Sequence, residues 1–206
     1  MRERVTATAI LSLHGRGRHA SLASLAQDDA FARLDIYEPG VAGPYRPLFG
    51  ELPRYRNSFY WEGAEPGELR NGVPHQDLMA LSFDDASFDL VISSDIFEHV
   101  RKPKEGFAEI RRVLRPGGAH IFSLPSLVPM PPSSVDRVDT SGDTDVHVLE
   151  PRYHGDGRGG KSLVYTDFGS DLFDLLEEVG FQTLSVRDDH TDPERMRVNA
   201  FIAIAR

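Results

Sequence analysis

From Phe88 to Ser94 the chain reads Phe-Asp-Leu-Val-Ile-Ser-Ser, an apolar run bounded by polar residues. A short unbroken apolar run of this kind belongs to a strand buried on both faces, as in a parallel sheet. Lys104 to Leu114 then carries apolar residues at Phe107, Ala108, Ile110, Val113 and Leu114, a helical period that Arg115-Pro116-Gly117-Gly118 stops. His120 to Leu124 reads as the next strand. Strand, helix and strand joined by a short turn predict a βαβ unit with a right-handed crossover, so the fold class is α/β with a doubly wound, Rossmann-like, mostly parallel sheet.

The flanks are punctuated by turn residues. Ser21 to Phe31 reads as a helix, and Arg33 to Tyr37 as a strand that stops at Glu38-Pro39-Gly40. A Pro-interrupted helical stretch runs to Leu52, and Ser58 to Trp61 is a short aromatic strand closed by Glu62-Gly63. Pro66-Gly67 and Asn71-Gly72 mark two further turns. From Pro125 to Lys161 there are many Gly, Pro and Asp residues and no sustained period. A structureless run of that length inside a domain is uncommon, which predicts a lid or substrate loop. Asp167 to Val179 returns to a helical period through Phe168, Leu172, Leu175, Leu176 and Val179, with Gly180 as its stop. Phe181 to Val186 and Val198 to Ala205 are closing strands, and the link from Arg187 to Arg197 reads as a hairpin connection. The last strand is therefore expected antiparallel to the rest. The whole is one domain over 1–206, with 1–32 as an N-terminal helical extension and 125–161 as the lid.

A length of 206 residues, 40% of them hydrophobic, is enough for one core. Twenty-three Lys and Arg against 32 Asp and Glu leave a net charge of −9, which opposes a nucleic-acid surface because phosphate neutralisation needs clustered cations. A mean hydropathy of −0.35 and the lack of a long apolar stretch exclude a membrane-spanning helix. There is no cysteine, so disulfides, thiolate zinc sites and cysteine nucleophiles are excluded together. Basic Met1 to Arg4 followed by Val5 to Leu13 has the outline of a signal peptide, but three of those nine residues are Thr or Ser, and Gly15 to His19 turns basic at once. A first helix or strand of a cytoplasmic domain is the preferred reading.

Three pieces in order carry a family resemblance: Phe83-Asp84-Asp85-Ala86-Ser87-Phe88-Asp89-Leu90-Val91, then Glu98-His99-Val100, then Glu109 to Gly118, Glu-Ile-Arg-Arg-Val-Leu-Arg-Pro-Gly-Gly. They resemble the central stretch of class I S-adenosylmethionine (SAM) dependent methyltransferases. The chain also resembles a narrower bacterial group, often encoded with or fused to glycosyltransferases. Asn71-Gly72-Val73 before Asp77, then His147, Tyr153-His154-Gly155-Asp156 and Tyr165-Thr166-Asp167-Phe168-Gly169, carry that likeness. The combined resemblance covers roughly Leu34 to Arg206. Two departures stand out. The family's acid-x-Gly-x-Gly loop after the first strand, whose glycines let backbone approach the cofactor, is replaced by Asp35-Ile36-Tyr37-Glu38-Pro39-Gly40-Val41. The narrower group also often opens with a Cys-x-x-Cys knuckle; this chain keeps Arg16-Gly17-Arg18-His19 without cysteine, so no zinc is implied.

What the resemblance implies can be assigned residue by residue. SAM presents an adenine amine, ribose hydroxyls and a sulfonium, all suited to carboxylates at strand ends. Asp77 would accept from the adenine amine and the Leu78 amide would meet a ring nitrogen; otherwise Asp77 caps the next turn. Glu62 is the acid for the ribose or a solvated turn residue. Glu38, beside Gly40, would hold the methionine ammonium directly or through water. Ser94 and Asp95 end the buried strand nearest the transferred methyl, with an N-cap as the structural alternative for Asp95. His99 follows, more structural than catalytic. His147 and His154, with Asp143, Asp145 and Asp156, read as a hard-metal site or as acid and base for a hydroxyl; a substrate-facing role is favoured and no metal is assigned.

The function implied is methyl transfer from SAM to a hydroxyl of a small polar acceptor, such as a sugar or a glycan or natural-product intermediate, with S-adenosylhomocysteine as product. His154 is the first choice as base, with Asp95, His99 and His147 behind it. The missing glycines leave a second possibility, a non-catalytic interaction domain that has lost the cofactor. A NAD-dependent oxidoreductase is disfavoured, since no glycine fingerprint opens a helix after the first strand. A small-molecule acceptor and a glycosyltransferase are the expected partners, with no nucleic acid and no membrane.

Overall fold

In the computed structural model, which describes residues 2–40, 43–127, 129–155, 159–186 and 197–206, six strands form one sheet. They are β1 (Ile36–Pro39), β2 (Tyr55–Ser58), β3 (Phe88–Ser94), β4 (Leu114–Ser126), β5 (Phe181–Val186) and β6 (Arg197–Ala205), in the order β5-β6-β4-β3-β1-β2. β1 runs parallel to β2 and β3, and β3 parallel to β4. β6 is antiparallel to both its neighbours. The sheet is thus mostly parallel and doubly wound with an antiparallel last strand, as the apolar pattern predicts. β6 lies between β4 and β5 instead of closing the edge. Its Ala200, Phe201, Ile202 and Ala203 are all buried, so it needs cover on both faces, whereas β5 exposes Gln182, Leu184 and Ser185 and suits an edge. The expected hairpin link lies mostly at residues 187–196, outside the described residues.

The strand order reverses between β1 and β3, which puts the carboxyl ends of these two strands at the topological switch point. One face of the sheet is covered by α2 (Pro103–Val113) and α3 (Leu172–Glu178), whose Phe107, Ile110, Val113, Leu172 and Leu176 pack on Val91, Phe122 and Phe201. The other face is covered by α1 (Arg2–His14) and by one-turn helices at Leu22–Leu25 and Arg46–Phe49, which meet Ile36, Leu90, Ile92 and Ile121. Ala108 is exposed on α2, because the buried stripe is Gly106, Phe107, Ile110 and Val113. A Cβ at Gly106 would stand 3.2 Å from both Phe97 and Val100, so this glycine lets α2 close on the turn after β3. No described helix is long and apolar enough to cross a membrane.

Several expected boundaries move. The helix foreseen over Ser21–Phe31 shrinks to Leu22–Leu25, because Asp28 turns the chain: its Oδ1 accepts from the amides of Ala30 and Phe31. The second strand is Tyr55–Ser58 instead of Ser58–Trp61, paired residue for residue with Ile36–Pro39. α3 starts at Leu172, since Thr166 and Asp167 pair with Val135 and Asp136 in a ribbon. The Pro125–Lys161 stretch is not structureless. Ribbons pair Val138 and Asp139 with Val146 and His147, and Tyr153–Gly155 with Lys161–Leu163. Arg137 ties them together: it is buried, with one nitrogen on Asp167 at 2.8 Å and another on the Glu150 carbonyl. Period-based reading misses such strands because two or three residues are too few to show an alternation.

Candidate functional site

At the end of β1, Gly40 adopts φ +105°, a backbone region that disfavours side chains, and a Cβ there would have only Ile96 in ordinary contact. One glycine therefore does meet the turn requirement where the multi-glycine loop is missing; Val41 and Ala42 lie outside the described residues. Glu38, just before it, is 1% exposed. Its Oε2 accepts from the Tyr55 hydroxyl at 2.6 Å and its Oε1 from the Tyr45 amide at 3.3 Å. Burial pushes the Glu38 carboxyl up to about 7, and these donors only partly offset it. Gly43 packs on this carboxylate with no room for a Cβ. Glu38 thus faces its own chain.

Beyond β2, Phe59 bridges to His75 in parallel, extending the sheet toward the Asp77 loop. Glu62 lies in an exposed turn past the strand, with Tyr60 two residues before it. Burial raises the Tyr60 phenol, and the nearby Asp77 and Glu62 carboxylates push the same way, so these three form one neighbourhood. Asp77 Oδ1 accepts from the Met79 amide at 2.8 Å, the turn-capping arrangement, while the Leu78 side chain is core. α2 holds this loop in place. Glu109 Oε2 accepts from the Leu81 amide, Arg112 donates to the carbonyls of Leu81 and Phe83, and the Gln76 side chain clasps Ser82 from both ends. The Glu-x-x-Arg of the motif is therefore a brace for the Asp77 loop. Its Arg115 pins the opposite strand ends, reaching Asp35 and Asp89 at 2.9 Å each.

β3 ends at Ser94, paired with Ser123, and Asp95 follows with φ +50°. A non-glycine residue in that region carries strain, which concentrates at functional turns. Asp95 is not an N-cap: the turn Phe97–His99 is led by Ile96 and has no side-chain cap, and the Asp95 carboxylate accepts from Ser123 Oγ at 2.9 Å. The same turn carries Glu98 and His99. His99 Nδ1 donates to the Leu163 carbonyl at 2.7 Å, and the Tyr165 amide donates to the Glu98 carbonyl at 2.7 Å. His154, on the ribbon strand paired with Leu163, then stands edge-on to His99 with ring centres 5.0 Å apart. Glu98 Oε1 lies 3.6 Å from His99 Nε2 and 3.6 Å from His154 Nδ1. His147 is exposed on another ribbon and is not part of this group. Asp145 is engaged by Arg101 at 2.6 Å and the Tyr165 hydroxyl at 2.7 Å, and Asp156 lies outside the described residues.

The structure thus gathers His99 and His154 at one point beside the β3 end, where Ser94 and Asp95 stand. Glu62 and Asp77 are gathered with Tyr60 at another point, and Glu38 is kept within the protein. Sequence reasoning missed Glu98, Tyr60 and Tyr165 as site residues. Glu98 and Tyr165 stood inside quoted motifs, but nothing in their spacing reveals that one is buried against two histidines.

Comparison with known proteins bears on the fold. Residues 63–122 match a family described as a methyltransferase domain. Among solved structures, an S-adenosylmethionine-dependent methyltransferase from Mesorhizobium loti superposes with a TM-score of 0.54 at 19% identity, covering 83% of this chain and 90% of that one. The fold is that of the class I methyltransferases. The glycopeptide N-methyltransferase MtfA, complexed with sinefungin, shares it at a TM-score of 0.54 and 16% identity, over 91% of this chain and 95% of that one. In sequence, a probable S-adenosylmethionine-dependent methyltransferase of Mycolicibacterium smegmatis is 35% identical over 107 residues, 49% of this chain and 42% of that protein. A demethylmenaquinone methyltransferase of Clavibacter sepedonicus is 40% identical over 65 residues, 32% of this chain and 26% of that protein. The chain spans less than half the length of these curated relatives. The matches bear out the class I methyltransferase resemblance read between Phe83 and Gly118, all of which lies inside the matched family segment.

Proposed function

We propose that the protein transfers a methyl group from S-adenosylmethionine to a hydroxyl of a small polar acceptor, a sugar or a glycan or natural-product intermediate. The observation that carries this reading is that segment 63–122, matched to a methyltransferase domain, supplies Ser94 and Asp95 at the carboxyl end of β3, at the sheet's switch point where open α/β sheets bind ligands, and Asp77 and Leu78 on the loop beyond β2. The residues fit the cofactor: Gly40 has a positive φ with only Ile96 in ordinary contact with a Cβ there, Asp95 directly follows β3, and Glu62 lies in the turn past β2. When bound, S-adenosylmethionine supplies an electrophilic methyl on a sulfonium.

The chain's own residues do the rest. Asp77 accepts from the adenine amine and the Leu78 amide donates to the ring, on a loop that α2 holds rigid. Glu62 and Tyr60 face the ribose. Glu38 and Gly40 shape the turn beneath the methionine end, and Glu38 acts there through the backbone it holds. On the acceptor side, Ser94 and Asp95 border the reacting hydroxyl, and His154, with 32% of its side chain exposed, takes the proton. His99 orients the group. Orientation supplies several kcal/mol of such a displacement. The glycosyltransferase link of the similar bacterial sequences suggests a glycan-related acceptor, while an amine acceptor is the competing choice.

Titration calorimetry with S-adenosylhomocysteine tests the reading. One site per chain is expected, with Asp77→Ala weakening it by about 1.5–3 kcal/mol, the worth of a hydrogen bond to a charged group. No binding to the wild-type chain would leave a non-catalytic domain of this fold.

A further inference from the structure

Glu98 is 1% exposed, and among the described residues neither of its carboxylate oxygens has a hydrogen-bond partner. A buried carboxylate without donors is costly, since it has given up its water for nothing. What it faces are two imidazole nitrogens, His99 Nε2 and His154 Nδ1, each 3.6 Å from Oε1. That separation is too long for a hydrogen bond. The His99 tautomer follows from its other nitrogen: only an N–H can bond the Leu163 carbonyl, so Nδ1 carries the proton and Nε2 of the neutral ring carries a lone pair. The ligand atoms of Glu98, His99 and His154 all lie within 4.8 Å of one another. With His154 Nδ1 unprotonated as well, lone pairs converge on one point from three sides, and a cation between them removes the conflict.

We propose that Glu98, His99 and His154 bind a divalent transition-metal ion of the zinc type, leaving one coordination position for water or another ligand. Two imidazoles and one carboxylate are a zinc donor set, and the imidazoles select against magnesium and calcium. Two ligands about 2.1 Å from a tetrahedral ion stand about 3.4 Å apart, close to the separations found. The support is built in as well. The His99 Nδ1–H to carbonyl bond is the outer-shell contact that fixes a metal-binding histidine, and the acceptor, Leu163, sits on the strand paired with His154. The Tyr165 amide ties the same chain segment to the Glu98 carbonyl. The site differs from the loop histidine and aspartate set suggested by sequence, for His147 lies outside it. Binding of the ion does not depend on the proposed methyl transfer; with the ion bound, His154 is its ligand and not the free base, and the ion would lower the pKa of a hydroxyl it holds, a use that rests on that reading.

The test is calorimetric titration of the chelator-stripped full chain with Zn²⁺ alone, without cofactor or acceptor. One ion per chain is expected. Glu98→Gln and His154→Ala should each weaken it by ~10-fold or more, and His147→Ala should leave it unchanged. Co²⁺ bound to the wild-type chain should show an intense visible band, displaced by Zn²⁺ and not by Mg²⁺, which needs no variant to fold. No stoichiometric Zn²⁺ binding by the wild type would overturn the proposal, as would a His147→Ala loss equal to that of His154→Ala. Binding of S-adenosylhomocysteine with no Zn²⁺ binding would remove the metal and leave the methyltransferase reading standing.

Discussion

Two buried glutamates sit near the switch point of this sheet, and their surroundings differ. Glu38 ends β1 and Glu98 follows β3; each is 1% exposed. Glu38 has a hydroxyl and an amide on its oxygens, both neutral donors from its own face of the sheet. Glu98 has none among the described residues, and looks at two imidazole nitrogens brought by its own turn and by the ribbon. Burial alone therefore does not define a carboxylate's role. Burial outweighs the neutral donors and the Arg46 charge nearby, so Glu38 holds its proton more tightly than a free carboxyl and serves as structure. Bare oxygens facing lone pairs make Glu98 half of a site whose other half is a cation or a proton in transit.

The largest expected effect lies at the Glu98 end. His154→Ala should lower kcat by about 10²–10⁴, the usual consequence of losing a general base and also expected on losing a ligand of the ion that would activate the hydroxyl, while S-adenosylhomocysteine affinity in calorimetry stays close to wild type. A wild-type rate on the true acceptor would make the His154 ribbon a binding element only. At the Glu38 end the expected effect is on stability. Its carboxyl is raised from 4.5 to about 7, so the folded state binds the proton more tightly than the unfolded chain. That contribution is complete below the unfolded value and disappears as pH rises through about 7, a loss of up to about 3 kcal/mol. Urea unfolding of wild type and Glu38→Gln from about pH 5 to about pH 8 should show this decline only in the wild type. Buried His14 and His120, held down to about 4 and about 3, act in the opposite sense as pH falls below 6.5, and they cancel in that difference. A parallel pair of curves would show that Glu38 is charged in the fold, like an ordinary carboxylate.

A smaller effect sharpens the same contrast. Tyr55→Phe removes the donor on Glu38 Oε2, so stability in denaturant titration should drop on the order of 1–2 kcal/mol. Because that hydroxyl holds the Glu38 carboxyl down, the pH at which the decline occurs should move upward. No shift would mean that the tyrosine packs against Glu38 without bonding it.

How much of this could be read from the chain follows from the range of the interactions. β3 is legible because burial on both faces leaves an unbroken run from Leu90 to Ile92, and α2 because Phe107, Ile110 and Val113 recur at the helical period. The stop at Gly180, with φ +96°, and the turn at Gly40 are equally local, since each reports a backbone angle that one residue type adopts freely. The candidate list was partly legible too: His99 and His154 were named, but in the company of Asp143, Asp145 and His147, chosen for nearness in sequence.

Tertiary structure alone decided the rest. β6 slips between β4 and β5 because its two-sided apolar surface competes better for a central place than β5 does, and that is a comparison between strands. Asp95 bonds Ser123 instead of capping the next turn because β4 lies beside β3. Glu98 meets His154, 56 positions away, only after Leu163 and Tyr165 stitch the ribbon to its turn. Local period and turn chemistry act over a few residues and leave a mark on the sequence at that spacing. A buried carboxylate's partners are set by which chain segments pack over it, and nothing in the residues around Glu98 records that choice.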